Sequence, residues 1–201
     1  MKKHLENSKG SIIAFCFIMG TIVIMLAIST LTIYTNDFIA VISNGDAVKA
    51  YYLAEIAVEE TLWEIMKTTE TLIFLYFSDL KEHKVNYLKD KGKETYQEYH
   101  PLIFNNYLQS HLINKLTTYK KQNNHPFLDY GHSHRYEVDL KYDVLQKIVI
   151  IEGTGIYNNA RKKVKLELVL PYQIQEGIDA YDLPSTKIYP LKISGYHQIV
   201  L

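Results

Sequence analysis

Residues 47–65 read AVKAYYLAEIAVEETLWEI, and their spacing decides the architecture. Ala47, Ala50, Ala54 and Ala57 recur every three or four positions, which places them on one face of a helix. Tyr51, Val58, Leu62 and Ile65 form a second apolar stripe, while Glu55, Glu59, Glu60 and Glu64 lie off both. The pattern predicts an amphipathic helix with a smooth alanine edge and an acidic, solvated face.

Upstream, no charged residue occurs from Ser11 to Asn36. That is about 26 positions, or roughly 39 Å of helix at ~1.5 Å per residue, against a hydrocarbon core of ~30 Å. Secretory apolar regions run only ~7–15 residues and end at an A-x-A-like site. This run is longer and no such site follows it, so removal of the whole segment is not expected. Lys2, Lys3 and Lys9 precede the run, opposed only by Glu6, whereas Asp37 and Asp46 come before Lys49. The bias predicts a single pass of the cytoplasmic membrane, with the N-terminus on the cytoplasmic side and everything after about Asn36 outside. Ala14, Gly20, Ala27, Ser29 and Thr30 are small enough for close helix contacts in lipid, although a plain anchor accommodates them equally. Asn44-Gly45 predicts a kink or brief break. Otherwise Ile12 to about Lys67 reads as one helix, its first half in lipid and its second in water.

Downstream, residues 68–130 read as a mixed, mostly helical region. Leu72–Phe77 is apolar and either extends the helix or turns back. Lys81–Glu98 is charged and reads as solvated, with a break at Gly92. Pro101 opens a predicted helix through Leu108, Leu112 and Leu116 that ends at Asn123–Pro126. From His134 the period becomes two. Tyr136, Val138, Leu140, Tyr142 and Val144 alternate with charged residues, as do Val164, Leu166, Leu168 and Leu170. Between them lies KIVIIEGTGIY, where Gly153 and Gly155 suggest a bulge or sharp twist. Asn158-Asn159 marks a turn. Three such strands make an antiparallel meander whose apolar face the amphipathic helix covers. A fourth, edge strand is expected at Tyr189–Ile193 or Gln198–Leu201. The fold class is therefore α+β, a long N-terminal helix packed on a small antiparallel sheet.

This layout resembles that of type IV pilins. Lys9-Gly10-Ser11 before the apolar run resembles a class III leader, cut by prepilin peptidase between Gly10 and Ser11. Ala50-Tyr51-Tyr52-Leu53-Ala54-Glu55 resembles the corresponding segment of PilX-type minor pilins and pseudopilins, and IIEGTGIYNNARKKVKLELVL resembles their closing hairpin. The resemblance covers about residues 8–66 and 134–171. Residues 68–130 and the tail match nothing in that family, and the residue reading and the resemblance together divide the chain into five parts: a leader (1–10), a membrane helix (11–36), its extracytoplasmic continuation (37–67), a mixed, mostly helical variable region (68–130), and a sheet with a tail (131–201). The resemblance implies processing at Gly10 and Ser11, and assembly through Phe15, Ala50, Tyr51, Tyr52, Ala54 and Glu55. The implied partners are other pilins, prepilin peptidase, an inner-membrane assembly platform and the lipid bilayer. The chain departs from the pattern at Phe15, the fifth residue counted from Ser11. Major pilins carry a glutamate there that pairs with a neighbouring N-terminal amine, and a lone charge in lipid is costly. The departure points to a minor subunit at a tip or priming position.

Composition excludes other classes. Lys+Arg and Asp+Glu both total 22, so no basic excess points to nucleic acid. The single cysteine, Cys16, lies inside the apolar run, which leaves no disulfide or cysteine-based zinc site for the remainder. No cofactor motif is present, since Gly153-x-Gly155 lacks the third glycine and following helix of a dinucleotide loop. His132 and His134 are weak candidates for a metal pair, and a polar loop entering a strand explains them as well. The 17 tyrosines fit sheet packing, or a surface for sugar or DNA. Two rivals to a pilin subunit stay open: an unprocessed single-pass envelope sensor or scaffold, and an anchored hydrolase or metal enzyme using His132 and His134.

Overall fold

The computed structural model of the chain describes residues 2–90, 98–116 and 118–199. The predicted break at Gly92 and the last two residues of the predicted Gln198–Leu201 strand lie outside the described residues. The chain divides into two units, Met1–Gly45 and Asp46–Leu201. Helix α1, Lys2–Asp90, contributes to both.

The first unit is helical and presents an apolar surface. Ile12 through Ile42 include large side chains that are mostly more than half exposed. An 18-residue window here reaches a mean hydropathy of 2.7 with none of it buried, so α1 is long and apolar enough to cross a membrane. Its hydroxyls serve the helix itself. Ser29, Thr30, Thr32 and Thr35 each donate to the carbonyl four residues back, at 2.8–2.9 Å. That is how such groups are satisfied where no water is available. Asn44 and Gly45 remain helical, so the predicted break is not made.

In the second unit α1 continues past Lys67, so that of the two readings of Leu72–Phe77 the extension holds, and it runs into the predicted solvated stretch as far as Asp90. The run of threonines that breaks the apolar pattern does not break the helix. Thr68 and Thr71 donate to the carbonyls of Glu64 and Lys67, which removes their competition for the backbone. The inward face is Ala50, Leu53, Ala54, Ala57, Val58, Thr61, Ile65, Leu72, Tyr76 and Leu80, all buried. It packs on a five-stranded antiparallel sheet of order β1-β2-β3-β4-β7. These strands are β1 Lys120–Asn124, β2 His134–Asp143, β3 Ile148–Tyr157, β4 Ala160–Val169 and β7 Lys192–Ile199. The three-strand meander is present as expected, and β7 is the added edge, overlapping both predicted positions. β1 was not expected. A helix was predicted to run up to Asn123, but Lys120–Asn124 instead pairs with Arg135–Asp139 of β2.

The helix predicted from Pro101 is broken into α2 (Phe104–Leu108), a π-helical turn (Gln109–Ile113) and α3 (Asn114–Leu116). The Tyr107 hydroxyl ties α2 to α1 by donating to Asp79 at 2.8 Å, and burial pushes its pKa up to about 12. A separate hairpin, β5 (Tyr172–Ile178) with β6 (Pro184–Tyr189), lies between β4 and β7 in the chain. Lys84 fastens it to α1 through Asp179 at 2.6 Å. On the outer sheet face Glu152 accepts from Lys163 at 2.7 Å and Lys141 at 3.1 Å, joining three strands. Lys163 and then Lys141 outweigh its partial burial and hold this carboxyl below the usual range.

Candidate functional site

The segment that carries the pilin resemblance sits on α1 opposite β3. Ala50 and Ala54 are fully buried, and the reason is the glycine pair on the facing strand. A Cβ on Gly155 would stand 2.5 Å from the Ala54 nitrogen and would meet the Ala50 carbonyl still sooner. A Cβ on Gly153 would stand 2.5 Å from the Ala54 carbonyl and 2.7 Å from Val58 Cγ2. The predicted bulge at these glycines is absent. β3 keeps an unshifted register with β2 and β4 through Gly153 and Gly155. Their purpose is the approach of helix backbone to strand backbone, which only glycine permits here.

The alanines are therefore spent inside the unit. Tyr51 is half-buried, and Tyr52, 52% exposed, is the member of the segment that faces outward. Glu55 is half-buried and accepts from the Tyr196 hydroxyl of β7 at 3.2 Å. Burial, the Tyr51 hydroxyl and the nearby Glu55 carboxylate all raise the Tyr196 pKa.

The acidic face is exposed at Glu59, Glu60 and Glu64, as its pattern suggested, but two of these carboxylates are tied to the sheet side. Glu60 accepts from the Tyr136 hydroxyl at 2.5 Å, and Glu64 accepts from Tyr119 and Lys121, both at 2.8 Å. Lys121 also pairs with Glu60 at 3.1 Å. Lys121 holds the Glu64 carboxyl below its ordinary range, and Glu64 in turn raises the Lys121 ammonium. Strand β1, unseen in the sequence, is what delivers Lys121 to the helix. Glu59 stays exposed beside Trp63, which is 66% exposed with Lys67 Nζ 5.8 Å from its ring centre. Met66, Phe74 and Phe77 continue this outward apolar line along α1.

His132 and His134 do not form a pair. His132 is exposed in the loop before β2, while His134 is 3% exposed. Both His134 ring nitrogens have backbone partners. Nδ1 lies 2.8 Å from the His132 carbonyl, and Nε2 accepts from the Phe127 N–H at 3.1 Å. The ring thus closes the 125–133 loop, among Phe127, Tyr130 and Tyr157. Among the described residues no three His, Cys, Asp or Glu side chains converge as metal ligands.

Gly10, Ser11 and Phe15 lie on the exposed surface of the first unit. Phe15 is 63% exposed and offers no group to neutralise an amine. Compared with known protein families, with characterised proteins and with solved structures, the chain matches none.

Proposed function

We propose that this chain is a minor pilin or pseudopilin-like structural subunit of a type IV pilus or a related secretion or DNA-uptake machine. It works by assembly, not catalysis. The observation that carries the reading is that one element, α1, supplies both the apolar span and the face that packs the sheet. An anchored enzyme or sensor needs no such sharing, because a flexible linker normally joins anchor to domain.

In this reading prepilin peptidase cuts after Gly10 and leaves Ser11 as an N-methylated N-terminus. The helix waits in the cytoplasmic membrane on an assembly platform, then packs among the helices of other pilins. The Asp46–Leu201 unit becomes surface, with Tyr52 the outward member of the motif. Phe15 in place of a carboxylate suits a subunit at a tip or in priming.

N-terminal mapping by mass spectrometry of the cell-associated protein tests this. The expected mature mass begins at methylated Ser11 in cells with active peptidase, and at the uncut N-terminus in cells without it. An intact Gly10–Ser11 bond in both strains overturns the proposal in favour of an unprocessed single-pass scaffold or sensor.

A further inference from the structure

A cleft of about 510 Å³ opens between α2, the β2–β3 turn and the start of β5. That volume falls within the ~300–1,000 Å³ of small-molecule sites. Its floor is apolar and buried, formed by Phe104, Leu108, Ile113 and Leu170. Asn105, Gln146 and Gln175 bring neutral amides to its walls. Lys147 is the one cation among its described lining residues, which include no carboxylate. Tyr172 supplies a half-exposed ring, held flat against Tyr189 with centroids 5.0 Å apart and planes 7° from parallel.

Two uncommon backbone features shape this cleft. Leu108 and Ile113 are five residues apart, a spacing that diverges in an α-helix. The π turn between them brings both onto the cleft. Lys147 takes a left-handed φ of 55° where glycine or asparagine is usual, and so carries a charged side chain to the rim. Backbone of this kind gathers at binding sites, where the surrounding structure holds it in place. Gln173 braces the segment that leads into the π turn. Its Oε1 accepts from the Phe104 N–H at 2.7 Å and its Nε2 donates to the Leu102 carbonyl at 3.2 Å, which locks α2 to β5.

We propose that the cleft binds a neutral carbohydrate, with a sugar ring against Tyr172 and hydroxyls on Asn105, Gln146 and Gln175. A hydroxyl both donates and accepts, and an amide side chain answers both roles. An anionic ligand would meet only Lys147, and a cationic one would meet no carboxylate among the described lining. The paired carboxylates of glycoside hydrolysis are likewise missing from that lining, so the sugar is held and not cut. The site belongs to the Asp46–Leu201 unit and does not rest on the assembly reading.

The test uses the full chain in lipid nanodiscs and saturation-transfer difference NMR with chitotetraose, maltotetraose and cellotetraose, plus a neutral hexapeptide. The expected result is transfer to the ring protons of at least one sugar. Gln146→Ala and Tyr172→Ala should each weaken binding about fivefold, the effect of one lost hydrogen bond or contact. Gln146 lies in an exposed turn, so its variant decides the matter if Tyr172→Ala does not fold. Absence of transfer to all three sugars overturns the proposal. So does transfer unchanged by Gln146→Ala, or transfer to the hexapeptide alone.

Discussion

At the scale of residues, the fold turns on two glycines. Gly153 and Gly155 read in the sequence as a flaw in a strand, because glycine weakens strands and often marks bulges. What the sequence does not carry is the distance to the helix on the other side. The same alanines that announce a smooth helix edge are the surface the glycines need, and the two signals lie about a hundred residues apart. Gly155→Ala should destabilise the unit by about 3 kcal/mol, the upper part of the range for overpacking, because its neighbours are backbone atoms that cannot swing away. Denaturant unfolding of the full chain in detergent checks this. Gly45→Ala is the control, since a Cβ there meets nothing within 4 Å. His134 is the opposite case. The sequence offers it as a weak ligand candidate, and its burial and backbone partners make it a structural histidine.

At the scale of elements, legibility followed the alternation of apolar and charged residues. β2 and β4 each bury one face and expose the other, so their period of two was visible. β1 reads KKQNN and buries almost nothing. It exists because β2 offers an open edge and because Lys121 and Tyr119 find carboxylates on α1, and neither condition leaves a local trace. The same holds for the π turn, which brings Leu108 and Ile113 together without leaving a local trace.

Ion pairs set how these elements respond to pH. Glu64 and Glu152 titrate below the ordinary carboxylate value of 4.5 in the folded chain. Their contribution is therefore complete above that value and is lost as pH falls through their folded pKa values. Lys121 is raised above its ordinary 10.5, so its share persists until pH climbs beyond that. The thermal midpoint should fall on acidification below about pH 4.5, and Glu152→Gln should flatten that fall while lowering the midpoint at neutral pH. Exposed pairs contribute only ~0.2–1 kcal/mol each, so Glu152, the least exposed of these carboxylates, is the informative position.

At the scale of the whole molecule, the sequence carried the plan, an apolar helical span followed by a helix-covered antiparallel sheet. It leaves open how far α1 extends, because Thr68, Thr69 and Thr71 interrupt the apolar stripe. Burial on the far side of them, at Leu72, Tyr76 and Leu80, pulls the helix onward. The separate β5–β6 hairpin was also missed, since its strands carry little burial pattern of their own.

The outward line of α1 has an optical consequence. Trp63 is the chain's one tryptophan, and it stands largely in solvent on the exposed face of α1. Its emission therefore reports on that face alone. An apolar surface laid along Trp63, Met66 and Phe74 will shift the fluorescence to shorter wavelength, while a ligand filling the β5 cleft will leave the colour unchanged. The protein thus carries its own dye for telling helix-mediated association from ligand binding.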